Sequence, residues 1–280
     1  MQKNNSSLMS DKSERIQSVD RFNIRTLKTL HYYGGYSTTK TLSLVHHYSA
    51  AGIRKRMKAM VRQGWIEKIE HDEGLGRREQ FWSITKAGRI AAHTENDPHV
   101  EAHKLKGYSI SEYSPALHSH TQLVQVIANH LERSLEQTEV KPFKIEVKEK
   151  YKTGYIYPDI TFENGMQNYL DSEVSAIELY EVELTIKSIN RYKELFRKIS
   201  IHNIRNSLSD NGFVISHIIY ITTPQLIKRL RSILKNIHTD FGVYIFDYKS
   251  VLSTEWDFGE DSFLKQPRLT KEQLYKLAGS

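Results

Sequence analysis

The chain has 280 residues, 39% hydrophobic and 26% charged, and no cysteine, which excludes a disulfide framework and any thiolate metal site. No positively charged and then apolar leader opens it, and no apolar run approaches the roughly 18 residues needed to cross a bilayer, so a soluble, cytoplasmic protein without membrane insertion is expected. The net charge of +7 is uneven: residues 1–105 carry 18 Lys and Arg against 11 Asp and Glu, while the remainder is balanced. A localised basic excess is the footprint of a polyanion binder, because every phosphate neutralised releases counterions; its plainer reading is a solvated basic face.

Residues 1–18 are polar and are expected to form a loosely attached tail. From Val19 the spacing turns helical, with Phe22, Ile24, Leu27 and Leu30 apolar and Gly34-Gly35 ending the run. Ser37-Thr38-Thr39 then predicts a cap for a second short helix carrying Leu42, Leu44 and Val45. A third helix is expected over 49–63, burying Ala50, Ile53, Met57, Met60 and Val61 and turning Arg54, Lys55, Arg56, Lys58 and Arg62 elsewhere. Beyond Gly64 come an apolar strand, a charged Gly-rich turn (Asp72 to Arg78), a second strand with Phe81, Trp82 and Ile84, and the start of a helix at Lys86.

Three helices followed by such a hairpin resemble a winged helix-turn-helix over residues 19–93. That resemblance implies a DNA-binding domain whose third helix enters the major groove with Arg54, Lys55 and Lys58, while Arg77 and Arg78 of the wing lie on the backbone or in the minor groove.

Residues 94–115 read as a linker, polar and bounded by two prolines. A second domain is expected over 116–278. It opens with a helix over 117–135, burying Leu117, Val124, Ile127, Ala128 and Leu131. Apolar, strand-like runs follow at 143–151, 155–162, 177–184 and 214–222, with a basic amphipathic helix between the last two. A helix at 224–237 and a strand at 242–248 complete a mixed α/β domain.

The residues that carry chemistry lie in Tyr157-Pro158-Asp159-Ile160 and, about 20 residues on, Glu181-Val182-Glu183-Leu184-Thr185-Ile186-Lys187. On a strand of period two, Glu181 and Glu183 project to one face and Val182 and Leu184 to the other. Two like charges side by side are costly unless a cation neutralises them. Asp159, on a neighbouring apolar run, can supply a third oxygen, and an oxygen-only set suits Mg²⁺ or Mn²⁺. Lys187 can stabilise charge at a phosphate, which together points to metal-assisted phosphodiester cleavage. The alternative is that the glutamates line the solvent face of an edge strand and pair with Lys148 or Lys150.

With Pro158-Asp159 followed by Glu181-x-Glu183, the arrangement resembles the PD-(D/E)xK nuclease superfamily in a variant form, the usual acid-x-Lys replaced and the lysine displaced to 187. Behind a winged helix, the same residues look like the MOBC plasmid mobilisation relaxases and the related replication-relaxation proteins. The overall expectation is an α+β chain, an N-terminal winged helix followed by a mixed α/β nuclease-like domain. This likeness implies a site- and strand-specific nick in double-stranded DNA at a transfer origin, with accessory mobilisation and coupling proteins as partners. It also implies a histidine on the helix before the nuclease strands, for which His120 is the candidate, as general base or phosphate contact. The rival expectation is a non-catalytic DNA-binding regulator whose decayed nuclease domain serves as a homodimer interface.

Overall fold

The computed structural model describes residues 21–31, 35–72, 78–93, 115–136, 158–207, 212–252 and 262–279. They form a mixed α+β chain with two separate sheets, divided into two compact units at Asn129/His130. No described helix is long and apolar enough to cross a membrane.

In the first unit α1 (21–31) buries Phe22, Leu27 and Leu30, but also Asn23, Thr26, Thr29 and His31. Its threonines tolerate burial because each hydroxyl returns to the helix: Thr26 Oγ1 donates to the Phe22 carbonyl at 2.9 Å and Thr29 Oγ1 to the Arg25 carbonyl at 2.8 Å. Gly35, at φ 80°, leads into β1 (Tyr36–Thr38), a short strand that includes Ser37 and Thr38, which the sequence pattern had assigned only to a helix cap. Thr38 serves both ends, pairing with Phe81 and capping α2 (Thr39–His46) by accepting the Thr41 N–H. Ser49 caps α3 (Ala50–Arg62) in the same manner.

β2 (Ile66–Asp72) and β3 (Arg78–Ile84) form an antiparallel hairpin, and β1 joins it for a sheet of order β1-β3-β2. Thr85 opens α4 (Lys86–His93) by accepting the Gly88 N–H at 3.1 Å while donating towards the Gly64 and Trp65 carbonyls. Gly88 is required there, since a Cβ would stand 2.0 Å from the Trp65 carbonyl oxygen. The shared core runs through Leu27, Leu30, Leu42, Ile53, Met57, Met60, Ile66, Trp82 and Ile84.

Most of α5 (Pro115–Glu136) belongs to this unit too. Gln125, fully buried, donates to the Tyr36 carbonyl at 2.7 Å, and Asn129 donates to Thr29 Oγ1 at 3.0 Å. The sequence pattern sets the domain boundary at 115/116; the contacts of the structure group the chain on either side of Asn129/His130, within α5. The helix spacing was legible in the sequence, but its partner depends on two amides that no periodicity reports. The tail at 1–18 and the linker at 94–114 lie outside the described residues.

The second unit is built on a sheet of order β4-β5-β6-β7. β4 (Ile160–Tyr169) and β5 (Ser172–Glu183) are antiparallel, joined by Leu170 and Asp171 at φ 49° and 73°, the positive-φ pair of a two-residue hairpin turn. Of the expected strand at 155–162, residues 155–157 lie outside the described residues; β4 starts at Ile160 and continues through the polar stretch Glu163–Tyr169, with a register shift at Glu163/Met166. The run at 143–151 lies outside the described residues. α6 (Ile189–Ser207) carries the chain to β6 (Phe213–Thr222), parallel to β5, and α7 (Pro224–Leu234) carries it to β7 (Gly242–Asp247), parallel to β6. A short α8 (Tyr248–Val251) and a terminal α9 (Lys271–Gly279), which packs on α6, follow. The core gathers Leu179, Tyr192, Phe196, Ile218, Tyr220, Leu230 and Val243. At its margin Asp240 accepts hydrogen bonds from Tyr169, Ser200 and Asn203, tying β4, α6 and the approach to β7 together.

Candidate functional site

β5 is an interior strand, flanked by β4 on one side and β6 on the other. Its antiparallel register sets Ile160 against Tyr180, which brings the next residue back along the chain, Asp159, beside Glu181. The Asp159 N–H donates to the Tyr180 carbonyl at 3.1 Å, and its carboxylate Oδ2 accepts the Val182 N–H at 2.7 Å. Glu181 and Glu183 continue the face of Leu179 and are 7% and 4% exposed. The alternative of a solvent-facing edge strand is thereby excluded, and Lys148 and Lys150 lie outside the described residues.

Burying two carboxylates on one face demands compensation. Part of it comes from Lys187, whose side chain returns from the turn after β5: its Nζ stands 3.0 Å from Glu183 Oε2 and 3.8 Å from Glu181 Oε2. A second part comes from α6. Tyr192 donates its hydroxyl to Glu183 Oε2 at 3.1 Å and accepts the Lys187 N–H at 3.2 Å. Thr222, opposite Glu183 on β6, donates to the Glu183 carbonyl at 2.6 Å. Burial and then the charge of Asp159 hold the Glu181 carboxyl well above the usual carboxylate range, while Lys187 draws it back down.

The structure thus brings Asp159, Glu181, Glu183 and Lys187 together at the carboxyl end of β5. Among the described residues no three His, Asp or Glu side chains are gathered closely enough to hold a metal ion in this arrangement. The ammonium of Lys187 is the cation found between the glutamates. In chemistry the set nevertheless suits a hard divalent cation: all three acids offer oxygen, and the buried pair lies in surroundings that penalise its negative charge.

His120 lies on α5 in the first unit, whereas the four residues above belong to the second. Sequence reasoning assigned no role to Tyr192 and missed Tyr220 and Thr222. These two sit on a strand some forty residues away from Glu181 and Glu183, and only the parallel register brings them opposite the glutamates.

In the first unit, α3 turns Ile53, Met57 and Met60 inwards and Arg54, Lys55, Lys58 and Arg62 outwards, all four exposed. None of the four makes an ion pair among the described residues. Arg56 does something different: its guanidinium lies over the rings of Phe22 and Tyr48, 4.6 and 4.8 Å from their centroids. Ala50 is only half-buried and Val61 is 37% exposed, so the inward stripe is narrower than expected. Arg77 lies outside the described residues, and Arg78 is the first residue of β3. Comparison with family models, with curated proteins and with solved structures finds no match to this chain.

Proposed function

We propose that this chain is a metal-dependent DNA endonuclease of the nicking, relaxase type, with a winged-helix DNA-binding unit and a variant PD-(D/E)xK nuclease unit. The observation that carries this reading is the convergence of Asp159, Glu181, Glu183 and Lys187 at the end of one interior strand. The order of elements supports it as well. In the first unit the order α1-β1-α2-α3-β2-β3, with a three-stranded antiparallel sheet, supports a winged-helix reading. In the second, the hairpin that carries Glu181 and Glu183, with Asp159 just before its first strand, is followed by a helix and a parallel strand, and this order supports the nuclease-like reading.

On this reading Asp159, Glu181 and Glu183 would hold Mg²⁺ or Mn²⁺. The ion supplies Lewis-acid polarisation of a phosphate and a more acidic bound water. Lys187, on the turn above the glutamates, offers its ammonium to the negative charge that grows on the phosphate oxygens. Tyr192 restrains Glu183, and the buried surroundings of the two glutamates strengthen every charge interaction there. The exposed face of α3, with Arg54, Lys55 and Lys58, would hold the duplex, and the partners would be a transfer origin and the mobilisation proteins that act there.

The test is incubation of the purified protein with supercoiled plasmid carrying the DNA around its own gene, in Mg²⁺, in Mn²⁺ and in EDTA. Open circles that require metal, and that Asp159→Ala abolishes while DNA affinity stays within about twofold, are the expected result. Linear product would instead indicate a double-strand nuclease. A second reading, a DNA-binding regulator with a decayed nuclease unit, draws support from the Lys187 ammonium already lying between the glutamates. It predicts a gel shift with the plasmid left intact, in cell extract as well as with purified protein.

A further inference from the structure

Tyr220 is wholly buried on β6, and its hydroxyl finds no hydrogen-bond partner among the described residues. The parallel register sets it directly opposite Glu181, and its ring meets that of Tyr192 edge-on, 5.9 Å between centroids at 85°. The two tyrosines thus share one wall of the carboxylate site, yet differ in state. The Tyr192 hydroxyl is fully engaged between Glu183 and the Lys187 N–H, whereas that of Tyr220 is buried without a partner among the described residues. A buried donor without an acceptor carries a desolvation cost that phenylalanine would avoid with the same ring. Both phenols are pushed above their ordinary range, first by burial and then by the neighbouring glutamates, so both lie within the field of the acids.

We propose that Tyr192 and Tyr220 are a pair of positioning residues for the acidic site, Tyr192 orienting Glu183 at all times and Tyr220 donating to Glu181 once a divalent cation is held. This inference rests on the reading of Asp159, Glu181 and Glu183 as cation ligands. A ligating carboxylate whose second oxygen accepts a hydrogen bond keeps the first aimed at the ion, and loss of such an outer partner weakens metal affinity by about 10- to 100-fold. The Tyr220 hydroxyl is then the mark of a site built for its loaded state.

The experiment compares the full-length chain with Tyr220→Phe, Tyr192→Phe and Asp159→Ala, by denaturant unfolding in EDTA and by calorimetric titration with Mn²⁺. Tyr220→Phe is expected to be as stable as the parent or more so in EDTA, and yet to bind Mn²⁺ roughly 10-fold more weakly. Tyr192→Phe should lose both stability and affinity, because its hydroxyl is already engaged. Unchanged Mn²⁺ affinity in Tyr220→Phe, beside a parent whose binding depends on Asp159, overturns the role of Tyr220 alone. A marked loss of stability of Tyr220→Phe in EDTA overturns it too, since the hydroxyl would then be engaged without metal. A parent chain that takes up no Mn²⁺ overturns this inference together with the metal-site reading beneath it.

Discussion

Lys187 holds the charge balance of the second unit. Glu181 and Glu183 are nearly inaccessible, and the ammonium that compensates them is itself about two-thirds shielded, its side chain 31% exposed. Removing one partner of such a group leaves a buried charge with too little compensation, which costs more than the pair itself contributes. Lys187→Met should therefore lower unfolding stability by about 1–3 kcal/mol, the discount from a fully buried pair reflecting the exposure of the lysine. Millimolar Mn²⁺ should restore part of that loss and should raise the variant's midpoint more than the parent's. Denaturant melts with EDTA or MnCl₂ measure both, and a variant as stable as the parent would mean that the glutamates do not depend on Lys187.

At the scale of the element, α3 separates two tasks around its circumference. Ile53, Met57 and Met60 anchor it, Arg56 is committed to the rings of Phe22 and Tyr48, and Arg54, Lys55, Lys58 and Arg62 are left facing solvent. Exposed cations that make no ion pair contribute little to folding. The double substitution of Arg54 and Lys58 by Gln is accordingly expected to leave the thermal midpoint within about 4 °C, on the grounds that each surface change costs under about 0.5 kcal/mol. It should weaken duplex DNA binding and reduce the slope of log K against log salt by about 1.8, taking about 0.9 per lost phosphate contact. Equal affinity and slope in the variant, measured by fluorescence anisotropy across a salt series, would remove α3 from the DNA-binding surface.

For the whole molecule, the position of the boundary within α5 has a direct consequence for how the chain can be divided. A fragment covering 19–93 ends before α5, leaving the Tyr36 carbonyl without Gln125 and Thr29 without Asn129. Each hydrogen bond so lost costs about 0.5–1.5 kcal/mol, and the apolar burial that α5 supplies is lost with it. A fragment covering 19–136 should thus be more stable than 19–93 by about 2 kcal/mol or more, with a single cooperative transition by circular dichroism. Substituting Gln125 and Asn129 by Ala in the longer fragment should remove much of that advantage.

Several features were legible from the sequence because they are local. The helical spacing of α3, the cap at Thr38, the hairpin before α4, and the period-two placement of Glu181 and Glu183 on one face all depend on neighbours a few residues apart. The sequence alone thus determined two regions of mixed structure, a basic outward face on α3, and a pair of acids with a cation four residues on. Tertiary structure alone decided whether those acids were exposed or buried, because a strand's burial depends on β4, β6 and α6, none of which its own pattern specifies. It decided likewise that most of α5 groups with the first unit, that the polar stretch Glu163–Tyr169 extends β4, and that Tyr192, Tyr220 and Thr222 close around the acids. Those pairings span from nine to a hundred residues. They arise from register and packing, where the free energy of satisfying a buried group outweighs any local preference.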